Sequence, residues 1–120
     1  MIVSGKRILL VDDMADVRFS ARMLLEVDNH EVTEAANAKT ALELFEPGKF
    51  DLVITDWEMP PGINGSELTN RIKQLAPQQP VIILTAWPER IVRSETPPDG
   101  VIMKPYLLED LRRQIARLFG

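Results

Sequence analysis

Five short apolar segments recur along the chain and predict five β-strands. The first, third and fourth segments are apolar almost throughout, which is typical of strands covered on both faces of a parallel sheet. The second alternates polar and apolar residues, which indicates a strand at the edge of the sheet. In chain order the segments are RILLV (Arg7 to Val11), EVTEA (Glu31 to Ala35), LVIT (Leu52 to Thr55), VIIL (Val81 to Leu84) and GVIM (Gly100 to Met103).

Apolar residues also recur at helical spacing between and after these segments and predict amphipathic helices. A further helix, the fourth in chain order, is predicted to be short, over about Glu89 to Ser94, because Pro97 and Pro98 end it. Strand and helix alternate throughout, which predicts an α/β fold with an open, doubly wound parallel sheet and helices on both faces. The predicted apolar helix faces are Val17, Ala21, Leu24 and Leu25; Ala38, Ala41, Leu42 and Phe45; Leu68, Ile72 and Leu75; and Leu107, Leu108, Leu111, Ile115 and Leu118.

Polar residues follow four of the five predicted strands, at the point where each strand stops. Asp12 and Asp13 follow the first strand, and Asp56 follows the third. Thr85 follows the fourth strand and Lys104 the fifth. Because parallel strands end at the same edge of the sheet, where ligands of this architecture bind, we expect three carboxylates, a hydroxyl and an ammonium group to meet there.

The expected cluster of three carboxylates requires a cation or protonation, because like charges held together disfavour the charged form. Carboxylate oxygens without His or Cys ligands favour Mg²⁺ or Mn²⁺ over zinc. A magnesium ion bound by carboxylates keeps positions open for water and for a phosphate oxygen, and an aspartate can itself accept a phosphoryl group. The pattern therefore indicates phosphoryl chemistry, with Lys104 and Thr85 stabilising the transferred group.

Composition narrows the function further. The chain has 120 residues, 45% of them hydrophobic, and matches one ordinary domain covering residues 1–120. The net charge of -4 gives nucleic acid no general electrostatic reason to bind, and the absence of cysteine excludes disulfides, thiol catalysis and thiolate metal sites. Because no apolar run approaches the roughly 20 residues of a membrane helix, a soluble, cytoplasmic protein is predicted, without direct contact to nucleic acid or membrane.

Four fragments together resemble the receiver domain of two-component response regulators. They are VDD after the first strand, TDWEMP around Asp56, TA at Thr85 and KPY at Lys104, and they occur in this order at the ends of strands. The resemblance covers the whole chain. It implies a flavodoxin-like sheet with strand order 2-1-3-4-5, and a phosphorylation-controlled signalling switch more than a metabolic enzyme.

The resemblance also implies a role for each site residue. Asp56 would be the phosphoacceptor, which takes a phosphoryl group from a phosphohistidine of a sensor histidine kinase or of a phosphotransfer protein and loses it by slow autodephosphorylation. Thr85 would be the switch hydroxyl and Lys104 the phosphate-binding cation, with a cis peptide bond to Pro105. The implied Mg²⁺ ligands are the side chains of Asp12, Asp13 and Asp56 and the backbone carbonyl of Glu58.

The sequence departs from the family pattern at three places. Val101 stands three positions before the lysine, where the family usually carries an aromatic residue, so an aromatic rotamer switch is absent. The interval from Thr85 to Lys104 is short, and the loop PPGING is one residue longer than usual. Glu58 and Trp87 occupy the positions that border the path of the hydrolytic water in the family, and we expect Trp87 to hinder that water and prolong the phosphorylated state.

Alternatives stay open at this point. A protein-interaction module that keeps the fold but is never phosphorylated would be compatible with Val101 and the short fourth helix. A phosphohydrolase of the haloacid dehalogenase type also uses an aspartyl nucleophile, but Met14 stands where that family carries its second aspartate. Asp13 could instead cap the first helix, and His30, which lies in a polar turn, is expected at the surface.

Overall fold

The structure, a computed structural model, describes residues 2–91 and 96–120. Strands and helices alternate along this part of the chain, as the apolar pattern predicts. No helix among the described residues combines the length and the apolar character that crossing a bilayer needs. In order, the elements are β1 (Arg7–Val11), α1 (Ala15–Val27), β2 (Glu31–Ala35), α2 (Ala38–Leu44), β3 (Leu52–Asp56), α3 (Gly65–Leu75), β4 (Val81–Thr85), a 3₁₀ turn (Pro88–Arg90), β5 (Gly100–Met103) and α4 (Leu108–Phe119).

The five strands of the described residues form one parallel sheet in the order β2-β1-β3-β4-β5. This order confirms the predicted fold, and it confirms that the segment EVTEA forms an edge strand. Val11 at the end of β1 lies opposite Thr55, and Thr85 at the end of β4 lies opposite Met103. The ends of β1, β3, β4 and β5 therefore meet at one edge of the sheet.

Both faces of the sheet are covered, because successive residues of each strand point to opposite sides. Ile8 and Leu10 of β1 pack in one layer, whereas Leu9 and Val11 pack in the other. All residues of β3 and β4 are buried. Helices α1 and α4 pack on the layer of Ile8 through Ala21, Leu25, Leu111 and Ile115. Helices α2 and α3 pack on the layer of Leu9 through Ala38, Ala41, Leu68 and Ile72.

Two residues of the predicted helix faces are exposed. Leu75 is 57% exposed, because it is the last residue of α3 and the chain leaves the helix there. Leu107 is 70% exposed, because it precedes α4 as its N-cap, where its backbone N–H donates to Asp110 at 2.7 Å. The helical period thus located the buried faces correctly but included one exposed residue at the end of α3 and one just before α4.

After β4, the described residues form a 3₁₀ turn (Pro88–Arg90) that overlaps the start of the predicted short fourth helix, and the first residue of this turn is a proline. The predicted helix over about Glu89 to Ser94 extends into residues 92–95, which lie outside the described residues. Beyond them, the Asp99 backbone N–H donates to the Val81 carbonyl at 2.8 Å, and the Asp99 carboxylate accepts from the Val81 N–H at 2.9 Å. These two bonds hold the start of β5 beside β4.

His30 is only 4% exposed, so the expectation of a surface residue is wrong. Its Nδ1 accepts a hydrogen bond from the backbone N–H of Lys6 at 3.0 Å, and its Nε2 has no hydrogen-bond partner among the described residues. Nearby, Asp28 accepts two hydrogen bonds from Arg112 of α4, at 2.8 and 2.9 Å. Contacts with distant parts of the chain therefore bury this polar turn.

Candidate functional site

The end of β1 delivers Asp12 to the interior and Asp13 to the surface. Asp12 is 2% exposed, and its Oδ1 accepts a hydrogen bond from the Met14 backbone N–H at 2.9 Å. The Arg18 Nη1 donates to the backbone carbonyl of Asp12 at 2.7 Å. Asp13 is exposed, and the N-cap of α1 is Met14, which makes no side-chain capping bond. The alternative of Asp13 as a helix cap is therefore wrong.

Asp56 is the last residue of β3 and is 6% exposed. The Lys104 Nζ donates to the Asp56 Oδ1 at 2.5 Å and forms an ion pair with it. The Lys104 backbone N–H donates to the Thr85 carbonyl at 2.8 Å, and the peptide bond from Lys104 to Pro105 is cis, as the resemblance implies. The ammonium group thus reaches from the end of β5, past β4, to the carboxylate on β3.

The three aspartates form one acidic cluster, in which an oxygen from each of Asp12, Asp13 and Asp56 lies within 4.8 Å of the others. Burial raises the pKa of Asp12, and the charge of Asp56 raises it further. Burial also raises the pKa of Asp56, while the hydrogen bond from Lys104 opposes that shift. A divalent cation would compensate both the lost hydration and the repulsion, so the cluster has the oxygen donors and the electrostatic need for Mg²⁺.

A cavity of 290 Å³ opens beside the acidic cluster. Thr85 on its wall is 2% exposed, and its Oγ1 accepts a hydrogen bond from the Trp87 backbone N–H at 2.9 Å. Val101 lies within β5, opposite Ile83 of β4, with a partly buried side chain. The residues that line the cavity are Asp13, Met14, Asp56, Glu58, Pro60, Thr85, Ala86, Trp87 and Lys104. The structure therefore brings most of the predicted site residues to one cavity.

Two arginines that the sequence did not single out contact this site. The guanidinium of Arg18 donates a hydrogen bond to the backbone carbonyl of Asp12. The guanidinium of Arg90 lies 5.5 Å from the ring centroid of Trp57 and 5.4 Å from that of Trp87. The helical spacing of Arg18 after VDD could have placed it beside the end of β1, whereas no local pattern predicts the position of Arg90.

Tyr106, the last residue of the fragment KPY, also lies near the acidic cluster. Burial raises the pKa of Tyr106 to about 12, with the charges of Asp12 and Asp56 adding to the effect. Its hydroxyl therefore stays protonated at neutral pH and can donate a hydrogen bond. Tyr106 lines a second cavity, of 610 Å³, together with Lys104 and Pro105.

A comparison with protein families matches nearly the whole chain. Residues 8–116 match the response regulator receiver domain. The chain belongs to this family. Receiver domains are signalling switches of two-component phosphorelays, they interact with histidine kinases or phosphotransfer proteins, and they bind Mg²⁺ at an acidic pocket. The fragments VDD, TDWEMP, TA and KPY thus led to the correct family.

Known receiver proteins are similar to this receiver domain along almost all of its length. It is 39% identical over 119 residues to the phosphate regulon transcriptional regulatory protein PhoB of Pseudomonas aeruginosa, and the match covers 95% of this chain and 50% of PhoB. It is 32% identical over 119 residues to the chemotaxis protein CheY-3 of Vibrio cholerae, and the match covers 94% of this chain and 91% of CheY-3. The chain thus spans half the length of PhoB but most of CheY-3.

A solved structure supports the same assignment. The response regulator protein TrrA from Thermotoga maritima, crystallised in complex with Mg²⁺-BeF, matches with a TM-score of 0.87 and 33% sequence identity. The match covers 95% of this receiver domain and 99% of TrrA. The sheet and the helices around it therefore have the arrangement of a receiver domain over nearly the full chain.

Proposed function

We propose that Asp56 accepts a phosphoryl group from a phosphohistidine of a sensor kinase or of a phosphotransfer protein, in a Mg²⁺-dependent reaction, and that the domain slowly removes this group again. The observation that carries the proposal is the environment of the Asp56 carboxylate, which is buried, paired with a lysine and open to a cavity. It is 6% exposed, it accepts a hydrogen bond from Lys104 at 2.5 Å, and it lines the same cavity as Thr85. Such a carboxylate is shielded from bulk water and still accessible from the cavity.

A carboxylate oxygen of Asp56 attacks the phosphorus, an O–P bond forms, and the P–N bond to the donor histidine breaks. The electron pair of that bond returns to the imidazole ring, which takes up a proton from solvent. Lys104 supplies positive charge next to the oxygens of the transferring group, and Thr85 supplies a hydrogen-bond donor once its hydroxyl turns toward them.

The donor chemistry of the acidic cluster fits Mg²⁺. Asp12, Asp13 and Asp56 offer hard oxygens within 4.8 Å of one another, and the backbone carbonyl of Glu58 would complete the set from this chain. When bound, the ion would neutralise the carboxylates and the charge on the transferring phosphoryl group. The presence of Mg²⁺-BeF in the TrrA complex supports the same class of ligand here.

Phosphorylation would bias a two-state equilibrium through Thr85. Its Oγ1 accepts a hydrogen bond from the Trp87 N–H at 2.9 Å in the unphosphorylated domain, and a phosphoryl group on Asp56 would offer its hydroxyl a charged acceptor. Val101 replaces the usual aromatic residue, so the change would be passed on without rotation of a ring. Glu58 and Trp87 line the cavity and would set the rate of autodephosphorylation, with Trp87 hindering the hydrolytic water.

Incubation of the protein with Mg²⁺ and acetyl phosphate tests the proposal. We expect the wild type to gain the mass of one phosphoryl group, and we expect Asp56→Asn to gain none. Asp16→Asn is a matched control that should be phosphorylated normally, because Asp16 is an exposed acid in the first turn of α1. Chelation of Mg²⁺ with EDTA should also prevent the mass gain.

Two results would contradict the proposal. If the wild type gains no mass and gives no Asp56-dependent spectral change with beryllofluoride, a protein-interaction module on the same fold becomes the better function. If the protein instead turns over a small phosphate ester many times, the function is hydrolysis of the haloacid dehalogenase type.

A further inference from the structure

Arg90 contacts three side chains that lie beside the site. Its guanidinium lies 5.5 Å from the ring centroid of Trp57 and 5.4 Å from that of Trp87, so it contacts both tryptophans of the chain. Its Nη1 donates to the Glu58 Oε1 at 3.4 Å. Arg90 and Glu58 are about half exposed, so these contacts are made at the surface. We name the group of Trp57, Glu58, Trp87 and Arg90 the rim.

The rim connects two loops that border the site. Trp57 and Glu58 directly follow β3, and Trp87 follows β4 by two residues. Glu58 and Trp87 line the 290 Å³ cavity beside Asp56. Trp57 is anchored separately, since its Nε1 donates to the Ser66 hydroxyl of α3 at 2.9 Å. Arg90 therefore links an anchored ring to the two side chains at the cavity.

We propose that Arg90 is a positioning residue that holds the rim together over the cavity and thereby slows hydrolysis of the acyl phosphate at Asp56. This inference rests on the proposed function, because it concerns the lifetime of the phosphorylated Asp56. Arg90 suits the role because a guanidinium is planar and can stack on indole rings while it donates to a carboxylate, which an ammonium group does less well.

Hydrolysis requires a water molecule to reach the phosphorus. The water oxygen attacks the phosphorus, the O–P bond to Asp56 breaks, and the carboxylate leaves with the electron pair of that bond. The water gives up a proton to solvent, and inorganic phosphate leaves. Because Glu58 and Trp87 line the cavity through which the water must approach, the rate depends on how often these two side chains leave its path.

The lifetime of the phosphorylated protein tests the inference. After removal of the phosphodonor, we expect Arg90→Ala to lose its phosphoryl group about three- to tenfold faster than the wild type, since each exposed cation–π contact shifts an equilibrium by about two- to fivefold. Arg90→Lys should decay at an intermediate rate, because it keeps the charge near Glu58 but loses the planar group. Arg71→Ala is the matched control, as Arg71 is equally exposed at 51% and pairs with Glu67 at 3.3 Å on α3.

A double variant tests whether Arg90 acts through Trp87. If it does, Arg90→Ala should accelerate decay much less in a Trp87→Ala background than in the wild type, because the side chain that it positions is already missing. Equal acceleration in both backgrounds would contradict positioning of Trp87 and overturn the inference in this form.

Tryptophan fluorescence gives a readout that does not depend on phosphorylation. In the unphosphorylated protein, acrylamide should quench the two tryptophans more strongly in Arg90→Ala than in the wild type or Arg71→Ala, with Arg90→Lys in between. If the wild type takes up no phosphoryl group, the proposed function fails, and quenching alone decides whether Arg90 holds the rim. If phosphorylation proceeds and Arg90→Ala matches the wild type in decay or in quenching, the inference is wrong.

Discussion

The two aspartates after β1 have different surroundings, although they are neighbours in sequence. Asp12 is buried, and hydrogen bonds from Met14 and Arg18 hold its side chain and its carbonyl. Asp13 is exposed and lines the cavity. Substitution of Asp12 would leave the partly buried Met14 N–H without its side-chain acceptor, which is costly in itself. Asp13 is therefore the better position at which to change the charge of the acidic cluster while leaving the structure intact.

The burial of His30 predicts that the protein loses stability on acidification. Burial lowers the pKa of His30 from its ordinary value of 6.5, Lys6 adds to this shift, and Asp28 opposes it. Since the folded state favours the neutral ring, the unfolded chain binds more protons than the folded protein between pH 6.5 and the lowered pKa. The stabilising contribution is complete above pH 6.5 and falls as the pH drops through the lowered pKa, with a slope of at most about 1.4 kcal/mol per pH unit.

Urea unfolding of the wild type and of His30→Asn at about pH 7.5 and about pH 5 measures this contribution. Asparagine keeps a side-chain acceptor for the Lys6 N–H but does not titrate. We therefore expect the wild type to lose more unfolding free energy than the variant between the two pH values. Equal losses would show that carboxylates such as Asp28, and not His30, cause the acid sensitivity.

At the scale of the elements, the strands and most helix faces were predictable because their signals are local. Buried strands in a parallel sheet read as apolar runs, and a helix reads as an apolar period. The strands β3 and β4 each run one residue further than predicted, to Asp56 and Thr85. The backbone of each of these polar residues still pairs with the neighbouring strand, although its side chain ends the apolar run. The burial of His30 was not predictable, because the group it bonds to lies 24 positions away.

The close approach of α3 to β3 predicts that position 65 accepts only glycine. A Cβ at Gly65 would lie 2.6 Å from the Asp56 carbonyl oxygen and 3.0 Å from the Trp57 Cα, both of which are backbone atoms. Gly65→Ala must therefore push the helix away from the strand that carries the phosphoacceptor. We expect a loss of about 1–3 kcal/mol in unfolding free energy and slower phosphorylation by acetyl phosphate.

Gly62→Ala is the matched control for this change. Gly62 lies in the loop that precedes α3, and an added Cβ there would meet nothing closer than the Met59 carbonyl oxygen at 3.7 Å. We expect this variant to stay within about 0.5 kcal/mol of the wild type and to be phosphorylated normally. Equal stability of the two variants in urea unfolding would show that the contact at Gly65 does not constrain α3.

At the scale of the whole molecule, the site depends on residues that lie far apart in the chain. Asp56 and Lys104 are 48 positions apart, and they meet because parallel strands end at one edge of the sheet. That rule explains why the charged residues of the site could be predicted from the sequence. It does not extend to Arg18 and Arg90, whose long side chains can adopt many rotamers and reach partners on several elements. Helical spacing places Arg18 beside the end of β1, whereas the contacts of Arg90 depend on packing, which the local pattern does not contain.

The acidic cluster predicts that Mg²⁺ stabilises the whole molecule. In the absence of metal, burial and mutual repulsion disfavour the charged forms of Asp12 and Asp56, and Asp13 contributes to the repulsion on both. A cation that binds only the folded state raises the free energy of unfolding by about 1.4 kcal/mol at ten times its dissociation constant. For a domain of this size, we expect Tm to rise by roughly 3–6 °C, measured by thermal denaturation with and without Mg²⁺.

Asp13→Asn separates metal binding from simple relief of repulsion. The variant loses one charge of the cluster, so its Tm without metal should equal or exceed that of the wild type, while the gain on adding Mg²⁺ should largely disappear. Asp16→Asn removes an exposed charge from the first turn of α1 and should keep the full gain. NaCl at matched ionic strength corrects for screening. If Mg²⁺ leaves the wild-type Tm unchanged, or raises that of Asp13→Asn by the same amount, the acidic cluster does not bind the ion and the neighbouring aspartates must be explained without a metal.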